Sequence, residues 1–287
     1  MTGPSEEIQL SDGRILACAT SGNLHGRPVF FFHGIPGSRL FRPSGGITGK
    51  LGIRLICVDR PGYGRSTFQP GRHILDWPAD IEQLADHLGL DRFAVAGHSG
   101  GGPYALACAY ALPQRVEAAT TVSGAGPVET LDTTTGMTLI NRFAFRFGPY
   151  IPWQLWRILV WWHFHERCAD PSKALDAETG RRPFSDEEQF KIPEVRKACL
   201  LSEEEAFRQG LRGLAWDARL ITRPWGFPLE EIRTPVHLWH GTADNSTSIR
   251  MARAIEARIP DCDAHICEGE GHLLLFPHWE EILAQFH

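Results

Sequence analysis

The stretch Phe93-Ala94-Val95-Ala96-Gly97-His98-Ser99-Gly100-Gly101-Gly102 constrains this chain more than any other. A short apolar run ends in Gly97-x-Ser99-x-Gly101, and an apolar, helix-forming stretch follows from Pro103 to Leu112. Strand, tight turn and helix in that order is the context in which a serine hydroxyl is pushed clear of a sheet. Glycines two residues on either side remove side chains that would collide in such a turn. The first amides of the helix point at the serine, where negative charge would develop. Taken alone, the five residues are equally a Gly-rich turn with an idle serine, so the remaining strands have to decide.

Those strands can be read in order. Glu7–Leu10, a turn at Ser11-Asp12-Gly13 and Arg14–Ala19 form an N-terminal hairpin. Pro28–Phe32 and Arg54–Asp59 are continuous apolar runs, as in strands buried on both faces. Asp76 or Trp77 caps a helix with Pro78 in its first turn and Ile81, Leu84, Ala85 and Leu88 on its apolar face. Val116–Val122, Pro235–Gly241 and Asp263–Cys267 complete the strands, and helices over 246–259 and 279–286 close the chain. Alternation of strand and helix predicts a parallel sheet.

The alternation stops at Pro127. From there to Gly226 the pattern is helical, with helices expected over 137–147, 152–165, 185–197 and 202–211. Six of the nine tryptophans lie in this stretch. The expected division is a core of residues 1–126 and 227–287 and a helical insertion of residues 127–226 lying over the sheet.

Composition narrows the function. A chain of 287 residues has room for one large α/β domain, and 43% hydrophobic with 22% charged residues is ordinary for a protein with a sizeable core. A net charge of −5 without a basic stripe excludes a general nucleic-acid binder. No run reaches about 18 apolar residues, so no membrane span and no membrane partner are expected. The polar, acidic start Met1–Glu7 does not read as a signal peptide, and seven scattered cysteines read as reduced thiols. A cytoplasmic location is the expectation. Cys262, His265 and Cys267 fit no zinc spacing, and no metal or cofactor is expected.

A nucleophilic serine needs a base and a carboxylate that orients the base. Open parallel sheets gather such groups at the carboxyl ends of strands. Asp244 and His272 follow two strands there, in the order Ser99, Asp244, His272. Each has a plainer alternative: Asp244 could only cap the next helix, and His272 could be a surface histidine. Glu129 and Asp132 are rival acids, and His278 and His287 rival bases. His98 is expected to face away from the serine, and His163 and His165 to pack the insertion. The oxyanion amides fall to Gly100 and, in the loop after Pro28–Phe32, to Ile35, because Pro36 has no N–H. Trp153, Trp156 and Trp161 are the candidate substrate-lining residues of the insertion, since ligand pockets are mostly apolar.

At this point the sequence resembles the α/β-hydrolase fold superfamily. The resemblance lies in His33-Gly34-Ile35-Pro36-Gly37-Ser38, Asp59-Arg60-Pro61-Gly62-Tyr63-Gly64-Arg65-Ser66, Gly97-His98-Ser99-Gly100-Gly101, His240-Gly241-Thr242-Ala243-Asp244 and Gly271-His272. It is closest to the capped branch with epoxide hydrolases, haloalkane dehalogenases, C–C bond hydrolases and esterases; proline iminopeptidases share the loop pattern. It implies a mostly parallel eight-stranded sheet with helices on both faces and a helical cap. A serine at position 99 departs from the aspartate nucleophile of epoxide hydrolases and dehalogenases, and Tyr150 is the only tyrosine of the insertion. The resemblance implies a cofactor-independent serine hydrolase acting on an ester, thioester or activated C–C bond of a small hydrophobic carbonyl compound. A lyase or rearranging enzyme with the same triad, or a silent binding protein, are the other readings. Oligomeric state is not readable.

Overall fold

The computed structural model describes residues 5–43, 45–128 and 131–286. Eight strands form one sheet: β1 (Ser5–Gln9), β2 (Ile15–Gly22), β3 (Arg27–Phe32), β4 (Ile53–Val58), β5 (Phe93–His98), β6 (Val116–Val122), β7 (Val236–Gly241) and β8 (Cys262–Cys267). Their spatial order is β1-β2-β4-β3-β5-β6-β7-β8. Only β2 runs against its neighbours, pairing antiparallel with β1 and β4, and β4 through β8 pair in parallel. The mostly parallel eight-stranded sheet is therefore present.

Eleven α-helices are described: α1 (Gly45–Lys50), α2 (Trp77–His87), α3 (Gly102–Ala111), α4 (Leu139–Phe147), α5 (Trp153–Ala169), α6 (Pro171–Ala177), α7 (Phe184–Lys191), α8 (Pro193–Ala206), α9 (Arg212–Ile221), α10 (Ile249–Glu256) and α11 (Trp279–Ala284). The period-two alternation of a strand decides which helices cover which face. Phe30 and Phe32 of β3 pack with Trp77 and Ile81 of α2 and Leu106 of α3. Val29 and Phe31 point the other way, onto Trp279 and Ile282 of α11. Each such fully buried side chain contributes roughly 1.5–3 kcal/mol, so the two faces anchor the central strands rigidly and hold their carboxyl ends in place.

Between β6 and β7 no strand occurs among the described residues, and α4 to α9 fill the interval. The helix boundaries there differ from the sequence reading. The stretch 185–211 is cut at Ile192, which is extended (φ −77, ψ 117) ahead of Pro193. A residue before proline avoids the helical region, and proline itself suits the first turn of α8. Gly210, at φ +79, ends that stretch, and α9 starts after it. α5 runs one turn further than expected, to Ala169, where Asp170 ends it and caps α6. The short helices α1 and α6 carry too few residues for a periodic signal.

Candidate active site

Ser99 sits at the carboxyl end of β5 with φ +53, a backbone conformation that costs a non-glycine residue about 1–3 kcal/mol. The flanking glycines explain how the chain tolerates it. A Cβ on Gly97 would lie 2.3 Å from the Gly101 carbonyl, and one on Gly101 would lie 2.2 Å from the Phe32 carbonyl. The turn closes because both side chains are missing. Ser99 is half-buried, whereas β5 before it is buried throughout.

Asp244 and His272 meet because β7 and the loop leaving β8 approach closely. A Cβ on Gly241 would be 2.1 Å from the Glu270 carbonyl, and the Ala243 amide donates to that carbonyl at 2.9 Å. His272 Nδ1 donates to Asp244 Oδ2 at 2.8 Å. An ionised carboxylate only accepts, so Nδ1 carries the proton and Nε2 is left as the basic nitrogen. Asp244 also accepts from the amides of Ser246 and Thr247 and from the Thr247 hydroxyl. It therefore caps the following chain and holds the histidine at once; the two alternatives weighed from sequence are both present. Burial pushes the Asp244 carboxyl up, but His272 and these donors outweigh it and bring its pKa down to about 2. For His272 burial lowers the pKa, and the charge and hydrogen bond of Asp244 raise it above the ordinary value.

The rivals are elsewhere. Asp132 pairs with Arg250, and His278 Nδ1 donates to Glu281 at 2.9 Å. Glu129 and His287 lie outside the described residues. His98 does not lead away from the site: its ring stacks on Phe41 and its Nε2 donates to the His272 carbonyl at 3.0 Å. Burial, then the neighbouring His272, push its pKa down to about 3, so it supports the histidine loop as a neutral donor.

Ile35 and Gly100 are neighbours, because a Cβ on Gly100 would be 2.7 Å from Ile35 Cδ1. The isoleucine side chain occupies the space that a larger residue at 100 would need. Gly100 lies in the first turn after β5, where amides have no partner within the helix. The Ile35 amide donates to no acceptor among the described residues.

Two acids of the insertion reach this site and were not singled out from sequence. Asp186 of α7 accepts from the His272 amide at 3.0 Å and the Leu273 amide at 2.8 Å. It lies in a helix first turn, where acids are common, so nothing distinguished it. Asp217 of α9 is fully buried and accepts from Arg60 Nε at 2.7 Å, Tyr104 at 2.7 Å and Arg72. Arg60 in turn donates to the His33 carbonyl and, at 3.1 Å, to the Gly34 carbonyl. This network ties the insertion to the loop that carries Ile35. A signal for it existed: Asp217 falls three residues after Leu214 on an otherwise apolar helix face.

Of the three tryptophans, Trp156 is buried and donates to the Ala215 carbonyl at 2.9 Å. Trp153 packs edge-on against Trp216, and both Trp153 and Trp156 belong to the apolar cluster that touches Ile35. Trp161 is 57% exposed and stacks on His165. A groove of about 780 Å³ between Phe145, Tyr150, Arg223, Trp225 and Phe227 includes none of Ser99, Asp244 or His272. Among the described residues, His237, Asp263 and His265 are the side chains that could share a metal ion, and His237 and Asp263 are paired across β7 and β8 before the strand ends that lead to Asp244 and His272.

Comparison with known proteins agrees with this architecture. A family model described as alpha/beta hydrolase fold matches residues 27–146. A proline iminopeptidase of Xanthomonas citri is 38% identical over 114 residues, which are 36% of this chain and 34% of that protein. A probable proline iminopeptidase of Streptomyces coelicolor is 27% identical over 76% of this chain and 69% of its own length. The chain spans about a third of the length of the Xanthomonas relative and of the similar Neisseria iminopeptidases. A hydrolase from Pseudomonas aeruginosa superposes with a TM-score of 0.71 at 19% identity, covering 99% of this chain and 98% of that one. The esterase RhEst1 from Rhodococcus gives 0.67 at 20% identity, covering 98% and 96%; at such identities the likeness is one of fold. With the matched segment, the sheet order and the strained serine turn all in agreement, the chain has the alpha/beta hydrolase fold.

Proposed function

We propose that the protein is a serine hydrolase that works through an acyl-enzyme. What supports this reading is a positive-φ Ser99 at the end of β5, a 2.8 Å His272–Asp244 bond after β7 and β8, and Ile35 lying against Gly100. Ser99 Oγ attacks a carbonyl carbon while His272 Nε2 takes the hydroxyl proton, and the two amides hold the oxyanion. Collapse expels the leaving group, which takes that proton from His272. Water, deprotonated by the same nitrogen, then releases the acid and restores Ser99.

For the substrate we favour the ester, thioester or activated C–C bond of a small, neutral, hydrophobic carbonyl compound. Ile35 is roofed by the apolar cluster of Trp153, Trp156, Val160, Phe207 and Leu214. The buried acids of the insertion, among the described residues, are Asp186, Glu203 and Asp217. Each is committed, to the His272 loop, to Arg167 and to Arg60 with Arg72. None is left to receive a substrate ammonium. The similarity to proline iminopeptidases supports a second reading, release of an N-terminal proline, which needs such an acid. Assays of p-nitrophenyl esters from acetyl to octanoyl beside prolyl-p-nitroanilide separate the two. Turnover of the esters without release of nitroaniline is expected; efficient cleavage of the prolyl amide alone would replace our reading by the second.

A further inference from the structure

Two neighbouring strands bring three metal-binding side chains together on one face of the sheet. His237 of β7 is in register with Asp263 of β8, and Trp239 is in register with His265. Residues two apart along a strand share a face. One donor atom from each of His237, Asp263 and His265 lies within 4.8 Å of the other two. Trp239 stacks flat on the His265 ring, with centroids 4.3 Å apart, and holds it in place.

The surrounding bonds show what these atoms offer. Trp239 Nε1 donates to Gln285 Oε1 at 2.9 Å. An indole N–H can only donate, so the Gln285 amide turns its oxygen to Trp239 and its Nε2 to His265. Gln285 Nε2 donates to His265 Nε2 at 2.7 Å, so that ring nitrogen carries a lone pair. It nonetheless lies 2.9 Å from Asp263 Oδ2, another acceptor. His237 Nδ1 is buried, makes no hydrogen bond and faces the same oxygen at 3.6 Å. Two acceptors meet with no proton between them, and a third nitrogen faces them unbonded. A cation satisfies all three.

The donors select the ion. Imidazole nitrogen suits zinc and its transition-metal neighbours, whereas magnesium and calcium take oxygen ligands. Zinc bonds of about 2.0–2.2 Å in a tetrahedral array set donors roughly 3.4 Å apart. The separations of 2.9 and 3.6 Å straddle that spacing. We infer that His237, Asp263 and His265 bind a zinc-type divalent cation that clamps β8, the edge strand, to β7. The ion takes over the His265 lone pair that Gln285 otherwise occupies. This departs from the expectation of no metal. That expectation rested on the spacing of Cys262, His265 and Cys267 along one strand, but Cys262 packs on the opposite face with Ala264 and Ile266. The ligands come instead from two strands, a pairing that exists only once the sheet has formed. The inference does not rest on the proposed chemistry, because binding is read without turnover.

The test is equilibrium dialysis of the full chain, first stripped with EDTA, against zinc ions, with hydrogen exchange of the β8 amides followed on the same samples. Asp263→Asn and the double variant His237→Ala with His265→Ala accompany the wild type, with circular dichroism to verify folding. The wild type should take up one zinc ion per chain. Asp263→Asn should bind it roughly 10-fold or more weakly, and the double variant should retain none. Zinc should slow exchange of the β8 amides in the wild type and leave the double variant unchanged. Asp263 is exposed, so its variant decides the matter even if the double variant does not fold. Absence of uptake by the wild type would overturn the inference. So would undiminished uptake by the folded variants, which would place the ion on the thiols or on His272, or β8 amides whose exchange bound zinc does not slow.

Discussion

His272 is buried beside Asp244, and the carboxylate outweighs burial in raising its pKa. The sign of the pH dependence follows. Nε2 acts as a base only when the ring is neutral, so activity should rise with pH through the raised His272 pKa. Asp244→Asn removes the charge that raises it, so the midpoint of that rise should move to lower pH. The same change favours the wrong tautomer and should lower kcat by on the order of 10⁴. A pH–rate profile with an unmoved midpoint would mean that Asp244 only caps the chain after β7. At this scale the sequence was informative where chemistry demands an order of residues. Ser99, Asp244 and His272 could be chosen because each follows a strand. Asp186 could not, because a helix-start acid and a histidine-positioning acid look alike until the chain has folded.

Among elements, the strands were legible and the insertion less so. Runs such as Pro28–Phe32 are apolar because both faces of a parallel strand are covered, and that requirement is written locally. The helices of the insertion end where a proline or glycine meets tertiary packing, so Ile192 and Gly210 redrew the boundaries. What ties α9 to the core is Asp217, whose carboxyl burial would push up, but which Arg72 and Arg60 hold well below the usual carboxylate range. Asp217→Asn leaves two buried guanidinium groups without a counter-charge and should cost about 3–5 kcal/mol in urea unfolding. The folded pKa is depressed, so this stabilisation is present above the ordinary carboxylate range and is lost as pH falls through the folded value. The difference between wild type and variant should therefore shrink in strong acid. A difference under about 1 kcal/mol at neutral pH would show that the network is not a structural tie. Asp186→Asn tests the other tie. Asn offers one acceptor oxygen for the two amides of His272 and Leu273, so kcat should fall while KM for a small ester changes little. An unaltered kcat would leave Asp186 as a folding contact.

At the scale of the molecule, the insertion is stitched to the loops that build the site. Glu205 of α8 meets Arg39 at 2.7 Å, Ser202 accepts from the Ser38 amide at 2.9 Å, and Gln209 donates to the Gly64 carbonyl at 2.8 Å. The roof over Ile35 is therefore held in a fixed position, and it should select substrates by apolar volume. Each added methylene that reaches the roof should raise kcat/KM by up to several-fold, from about 0.8 kcal/mol per CH₂, until the space is filled. A flat series from acetyl to hexanoyl esters would show that the roof does not contact the acyl chain. That helices fill the interval between β6 and β7, together with six of the nine tryptophans, was readable from the loss of the strand pattern. Which of them face the site was not, since Trp156 and Trp161 differ only in which side of α5 they take.

The central claim is that Ser99 becomes acylated with His272 as its base, and intact-protein mass spectrometry after treatment with a fluorophosphonate tests it most directly. The wild type should gain one phosphonyl group, located by peptide mapping on Ser99. Ser99→Ala should gain none and should lose roughly 10⁴- to 10⁶-fold in kcat on any ester that the wild type hydrolyses. An adduct on a residue other than Ser99, or a Ser99→Ala variant that keeps more than about a tenth of the activity, would contradict the account.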